Sequence, residues 1–556
     1  MPDKEARLLW GLKNQAAKIR KSRGTDDEWK ENLAWFKGEQ TQDKVGWKAN
    51  TVTNFLFSQI MTIVPILANR IPEVSLKPIT ENLTREADVL SKLINRTFIR
   101  NELIGRQVEL VMNGLLFGKG FWKVAWDTVP FAGMGDFRIE TPDTRSIFLE
   151  PGKDSLRDAN FLFESRNINK LTLMRMYPDK RDLIKKLFQK DKGAVDEFQG
   201  VGGNTGETGL HATKDPDPVA TTSEALIWDM AMGAPADKKS VEVSDAWFLD
   251  ETTYKDFIET TTEGKGKKTK VELDFPEFPT GRLVVFSGQE ALLKKPNPFP
   301  QFPFVEYINY VSPDEPDGIS DLKHAKPQQE MYNIRHNQIM DLLNFNLGPV
   351  TFYDHTSGIE PDEIENRPNQ YVPVMNVQGM KRFDPPRIPA EAFNSLLILR
   401  QNLETIFGVR EVTQGSVPGD VKSGFAIEQL QEAAQGRLRL KTRNIEASIR
   451  GLSKYLVRMI GLFYIRGEHY TDDVDLDGVD PDFFDFEIKA GVNLPGSRIA
   501  EQQHDQWLFA NGIVDEEFII SRSNINNRES LEDRMRPFWE ARRAQLQNPQ
   551  GAGQLQ

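Results

Sequence analysis

The chain contains no cysteine. That excludes a disulfide framework, a thiolate zinc site and a cysteine nucleophile, and it fits folding in a reducing cytoplasm. It also lacks a long apolar run. The most apolar window, Phe55 to Ala68, is broken by Ser58, Gln59, Thr62 and Pro65. A membrane-spanning helix needs roughly twenty apolar residues, so this window predicts a buried helix, and no membrane partner is expected. Met1 to Trp10 has no apolar core of a secretory signal. There is no basic excess either: 70 Lys and Arg stand against 82 Asp and Glu, a formal net charge of -12. Tight nucleic-acid binders gain affinity by neutralising phosphates and releasing counterions. This chain is expected to touch nucleic acid only weakly and locally.

Signatures of chemistry are scarce. The histidines, at 211, 324, 336, 355, 469 and 504, fall at no metal-ligand spacing, and no G-x-S-x-G elbow occurs. Gly264 to Thr269 lacks the spacing of a phosphate loop and sits between Thr-rich strands. Asp473, Asp475, Asp477 and Gly478 begin like a calcium loop, where alternate oxygens and a sharp turn wrap a hard cation. Pro481 and Phe484 then occupy the ninth and twelfth positions. A solvated acidic turn is the leading reading, with an ion site at those three aspartates as the weak alternative. No catalytic residue and no cofactor is expected, so an enzyme would need its site assembled from dispersed residues.

What is present is a long, mixed chain. Its 556 residues predict two to four domains, and the aromatic content of 10% is enough to build cores. Residues 1 to 40 read as amphipathic helix, with Thr25 to Glu28 placing acids at a helix start. Asn50 to Asn69 is the buried helix, and Glu81 to Phe117 reads as two helices with a break near Asn101. The period then changes to two: Phe121 to Asp127 and Phe137 to Thr141 form a hairpin signal, with further strands at Ile147 to Pro151 and Phe161 to Ser165. Lys170 to Lys190 reads as one basic helix. Asp191 to Thr222 is a polar excursion expected to be mobile. Strands resume at Val241 to Leu249, Val271 to Phe275 and Gly281 to Phe286, with an exposed hairpin tip at Lys265 to Lys270. Four prolines between Pro296 and Pro303 mark an expected domain exit.

The most informative stretch is Ile319 to Phe425. An amide-rich helix, Pro327 to Leu347, leads into a short Pro-rich β module, and a second helix, Pro389 to Gly408, returns. A polar loop, Val409 to Gly424, opens a long helical pattern, Ser423 to Arg466. A protruding antiparallel helix pair with a small cap suits a subunit of a ring around a channel. The basic run Arg437 to Arg443 splits around its helix into two pairs, 437 with 441 and 439 with 443. That split suits salt bridges on two sides better than one nucleic-acid face. An acidic turn (Thr471 to Pro481), a strand (Phe484 to Ile488), helices from Ser497 to Gln547 and a disordered tail complete the reading.

Several landmarks, in this order, resemble phage portal proteins, the ring at the capsid vertex through which DNA passes. They are Trp29, Trp35, Phe36 and Gly38 to Gln40; Asn54 and the helix closed by Asn69 to Pro72; Asn113 to Asp127; Ile147 to Pro151 with Asp158 to Phe161; and Phe302 to Glu306 with Asp317 to Asp321. The resemblance covers roughly Trp29 to Ile465. It implies an α+β portal fold that forms rings, with a mixed α/β wing, an antiparallel helical stem, a small β-containing clip, a long wing helix and an α-helical crown. The implied layout is wing 1–318, first stem helix 319–347, clip 348–388, second stem helix 389–408, tunnel loop 409–424, long helix and wing return 425–496, and crown and tail 497–556. Pro327 inside the first stem helix departs from the pattern, and the helix should kink or begin there.

The implied function is the channel for DNA packaging and ejection, built from a ring of about twelve copies. Implied partners are double-stranded DNA in non-specific passage, the terminase large subunit, the major capsid and scaffolding proteins, and head-completion adaptor or tail proteins. Its place is the virion's portal vertex, after assembly in the host cytoplasm. Candidate channel residues are Arg410, Gln414 and Lys422. Candidate interface residues are Gln329, Asn333, Asn337, Arg437 and Arg439, and candidate docking residues of the clip are Tyr353, Asp354 and Tyr371. Another virion structural component, such as a tail or adaptor protein, is the competing reading.

Overall fold

The computed structural model describes residues 3–40, 48–68, 72–130, 133–153, 155–190, 240–250, 253–261, 268–313, 315–347, 351–353, 380–382, 388–408, 436–465, 467, 469–470, 474–489, 506–511, 514 and 534–539. The chain divides into two compact units, Met1–Val409 with Arg437–Val492, and Arg410–Gly436 with Asn493–Gln556. The second is described through short helical stretches at 506–510 and 534–539.

The first unit opens with α1 (Lys4–Ser22), whose first turn is capped by the Asp3 carboxylate accepting the Glu5 amide at 3.1 Å. Helix α2 (Thr25–Lys37) carries Asp26, Asp27 and Glu28 in its first turn, as the sequence predicts. Helix α3 (Phe55–Leu67) is shorter than the predicted 50–69. The Asn54 side chain caps it by accepting the Phe57 amide at 3.1 Å. Strand β1 (Glu73–Pro78) precedes α4 (Thr84–Arg100) and α5 (Leu103–Phe117). The break between them falls where predicted. Glu102 takes φ 49°, and the Asn101 amide donates to the carbonyls of Thr97 and Phe137, both at 2.9 Å.

Strands β2 (Lys119–Asp127), β3 (Asp136–Glu140), β4 (Ile147–Leu149) and β5 (Phe161–Asn169) follow. The basic segment after them is two helices rather than one, α6 (Lys170–Met176) and α7 (Arg181–Lys190). Pro178 supplies the break, because it has no amide to continue α6. Strands β6 (Ser240–Phe248), β7 (Thr253–Thr261), β8 (Lys268–Pro276), β9 (Arg282–Ser287), β10 (Glu290–Pro296) and β11 (Phe304–Ile308) complete the β-rich part. The excursion at 191–222 and the first half of the tip at 265–270 lie outside the described residues, and 268–270 begin β8.

Five strands form one antiparallel sheet in the order β10-β9-β6-β5-β4, and three form another, β11-β2-β3. The segment Pro296 to Pro303 is therefore a connection within one compact unit: β11 pairs with β2, Phe304 opposite Lys123. Helix α1 covers the five-stranded sheet, packing Ala6, Leu9 and Ala16 on Phe148, Phe163, Ala246, Val284 and Phe286. Each large side chain so buried contributes roughly 1.5–3 kcal/mol. Behind the three-stranded sheet, Trp126 and Phe137 meet Phe463, and Phe137 stacks on Tyr464. The Tyr464 hydroxyl donates to Asp136 at 2.6 Å, and burial pushes that phenol up to about 12.

The remaining elements are α8 (Asp321–Leu347), β12 (Thr351–Tyr353), β13 (Met380–Arg382), α9 (Ala390–Phe407), α10 (Gly436–Phe463) and β14 (Phe484–Lys489), which pairs with β1. Helix α10 runs through the core, burying Leu438, Ile445, Ile449, Leu452 and Leu456 at helical spacing. It ends at Phe463, three residues before the predicted limit, and 425–435 lie outside the described residues.

One backbone crossing positions the start of α8. Gly118 and Gly318 both have positive φ, and a Cβ on Gly118 would sit 2.6 Å from the Gly318 carbonyl oxygen. The turn that ends α5 is thereby pressed against the turn that leads to α8, at a distance only glycine permits.

Candidate functional site

The helix pair α8 and α9 is the element the sequence singles out, and the two helices pack on each other. Helix α8 begins at Asp321, six residues before Pro327. The proline therefore lies inside the helix rather than at its start, where it forfeits one main-chain bond, to the carbonyl four residues earlier. The first turn is anchored instead. Ser320 Oγ accepts the Lys323 amide at 3.2 Å, and the Asp321 carboxylate meets Lys441 Nζ of α10 at 2.5 Å. Both members of that pair are fully buried. The basic run on α10 is thus divided: Lys441 points into the core, whereas Arg439 is exposed.

The amide row of α8 is occupied within the chain. Gln329, Asn333, Asn337 and Asp341 recur every four residues; Asp341, Asn337 and Gln329 hold alternate positions of 49–55, and Asn333 holds Gln40. Asp341 Oδ1 accepts the Ala49 amide at 2.6 Å, and Asn337 Oδ1 accepts the Thr51 amide at 2.9 Å. Gln329 donates to the Thr53 carbonyl at 2.7 Å and accepts the Phe55 amide at 3.2 Å. Asn333 donates to Gln40 at 2.7 Å, and Gln40 donates to Asn54 at 3.0 Å. The match is geometric. Four helical residues rise about 6 Å, close to the roughly 6.6 Å covered by two extended residues. Gln329 and Asn333, expected at a subunit interface, are buried in the chain's own interior, and Asn337 is half-buried. These side chains supply partners to main-chain groups of an extended segment that is half-buried or exposed.

Another part of the pair is bare. Met331, Ile334, Leu343, Phe345 and Leu347 of α8 are exposed, as are Phe393, Leu397 and Ile398 of α9, Leu397 at 59%. Only Leu403 and Phe407, near the C-terminus of α9, are buried in that helix. Apolar side chains are thus exposed along both helices of the pair.

Between the helices, β12 pairs with β13 in antiparallel register, Tyr353 opposite Met380. Strand β12 falls in the short β module expected after α8, and residues 370–374 lie outside the described residues, as do Asp354 and Tyr371. So do Arg410, Gln414 and Lys422 of the expected tunnel loop, and the side chain of Arg437. In the acidic turn Asp473 is likewise outside. Asp475 and Asp477 are exposed while Val474 before them and Leu476 between them are buried, and Asp475 Oδ1 accepts the Asp477 amide at 3.1 Å. Among the described residues no three His, Asp or Glu are grouped to hold a metal, and no helix is long and apolar enough to cross a membrane.

Sequence reasoning missed what the amide row holds. The available signal was the four-residue recurrence of Gln329, Asn333 and Asn337 on a helix, beside an extended polar stretch at 49–54.

The family model described as Phage P22-like portal protein matches residues 41–553. No curated protein matches the chain. The match takes in every landmark of the sequence reading from Asn54 onward and extends past Ile465, leaving only the opening residues from Trp29 to Gln40 outside. Covering most of the chain, it places this protein in the P22-like phage portal protein family.

Proposed function

We propose that the chain is the repeating subunit of a ring at the capsid vertex, and that the ring encloses the channel for DNA packaging and ejection. In this reading α8 and α9 are the stem, 348–388 the clip, 409–424 the tunnel loop and 497–556 the crown and tail. The observation that carries it is the bare apolar surface on the helix pair. Eight large apolar residues exposed on two packed helices exceed what an isolated chain needs, and neighbouring copies would cover them. Ring subunits join through two different surfaces, each used once per copy.

The charge supports the same reading. A channel that lets a duplex slide needs shallow, non-specific attraction, because deep electrostatic wells stall movement. An acidic chain, with Arg410 and Lys422 as the cations of its loop, suits this. Arg410, Gln414 and Lys422 face the duplex in the proposal. The clip, including Tyr353, Asp354 and Tyr371, receives the terminase large subunit and later an adaptor or tail protein. The wing meets capsid and scaffolding proteins. The subunit itself performs no chemistry, and a separate motor supplies the energy.

The test is native mass spectrometry of the purified chain beside Leu397→Glu/Ile398→Glu. The wild type is expected as a closed ring of about twelve copies. The variant, which places two carboxylates in the proposed stem contact, is expected to fall to monomer with an unchanged circular dichroism spectrum. A wild type that stays monomeric at micromolar concentration contradicts the proposal.

A further inference from the structure

Helix α1 presents one uniformly basic stripe to solvent. Lys4, Arg7, Leu8, Gly11, Gln15 and Lys18 are exposed and fall within a sector of about 100° on a helix. Ala6, Leu9, Lys13, Ala16 and Arg20 face the opposite way and are buried. Lys4, Arg7 and Lys18 make no ion pair among the described residues, whereas both acids at this end are engaged: Asp3 and Glu5 hold Lys294, and Glu5 also holds Arg282. Leu8, 65% exposed, lies along one edge of the stripe, and at Gly11 a Cβ would meet nothing within 4 Å. An exposed apolar side chain beside charge is the anatomy of a protein contact rather than of a phosphate-binding face.

The same compact unit carries the complement. Asp475, Asp477, Asp480 and Asp482 are exposed on the turn that leads into β14. Asp480 and Asp482 face Lys454 and Arg458 of α10, but Asp475 and Asp477 have no cation beside them among the described residues. Beside these acids stand two exposed apolar side chains, Phe483 at 54% and Ile79 at 61%, joined by the Ile79 amide donating to the Phe483 carbonyl at 3.0 Å.

We propose that the basic stripe of α1 in one copy docks on the acidic turn at 475–482 of the next. Each patch carries a single sign of free charge, so neither can pair with itself, and the contact is heterologous. Each copy then uses its stripe on one side and its turn on the other, which is the connectivity of a ring. The inference rests on the ring reading above and adds a contact outside the stem. Helix α1 lies outside the residues matched by the family, 41–553, and the acidic turn lies inside them.

The experiment uses full-length Lys4→Glu/Arg7→Glu and full-length Asp475→Lys/Asp477→Lys, with assembly followed by mass photometry at low salt. Juxtaposed like charges oppose association, so each variant alone is expected to need at least about tenfold more protein for half assembly. A one-to-one mixture is expected to recover wild-type assembly, because alternating copies restore opposite signs at every contact. Should a variant lose its circular dichroism signal, Lys4→Gln/Arg7→Gln and Asp475→Asn/Asp477→Asn replace the pair, each with a smaller expected loss and with the mixing arm kept for charge-reversed variants only. Wild-type assembly by both variants, or a mixture no better than its parts, overturns the inference and leaves the ring reading standing. A stripe variant that assembles normally but loses binding to a DNA duplex overturns it in favour of nucleic acid. A wild type that never assembles overturns both.

Discussion

Lys441 and Asp321 form the most consequential single contact in the described chain, because it ties the first turn of α8 to the central helix α10 with both charges out of water. Moving a charge into the interior is costly unless its partner is well placed; here Lys441 Nζ also lies 5.1 Å from the centre of the Tyr310 ring. Removing one partner leaves an uncompensated charge, so Lys441→Met and Asp321→Asn are each expected to lower unfolding free energy by about 3–5 kcal/mol. The double variant Lys441→Met/Asp321→Leu is expected to lose less than either alone. Urea denaturation of the three proteins checks this, and losses that simply add would show that the pair is not coupled. Nothing in the sequence identified this partnership. Lys441 sits in a run of four cations, and its carboxylate lies 120 residues away, so local pattern could assign it only to a solvated face or a neighbour.

At the scale of elements, the amide row of α8 separates an internal role from an interface role. Gln329→Leu removes the side chain that binds both the Thr53 carbonyl and the Phe55 amide, leaving them only their mutual bond at 2.9 Å, at a cost of about 1–3 kcal/mol. The expected outcome is a lower thermal midpoint with ring assembly retained. An unchanged midpoint with lost assembly would instead return Gln329 to the subunit interface. The helices were legible because their apolar spacing is local and their ends carry punctuation: acids at Thr25 to Glu28, a break at Asn101, glycine at 118. Strands β2, β3, β5, β6 and β9 were legible from alternation. Strand β1 was not, since six residues with little apolar content find their partner β14 more than four hundred positions on. Strand β10 hides behind Lys294, Lys295 and Pro296, residues of low strand propensity that an edge position tolerates.

For the whole molecule, the family was legible before the architecture was. Landmarks kept their order along the chain, and order survives sequence change better than any one motif. What the sequence could not reveal was which polar rows are spent inside. Asparagine and glutamine look alike whether they hold a neighbouring strand or a neighbouring subunit, and only burial distinguishes the two. The same ambiguity favours the exposed apolar residues of α8 and α9 over its amides as the surface that copies share. Electron cryomicroscopy of the purified full-length protein tests the central claim most directly. The account predicts closed rings around an open axial channel wide enough for a DNA duplex, with the α8–α9 pairs packed side by side. Monomers, open filaments or particles without an axial channel would contradict it.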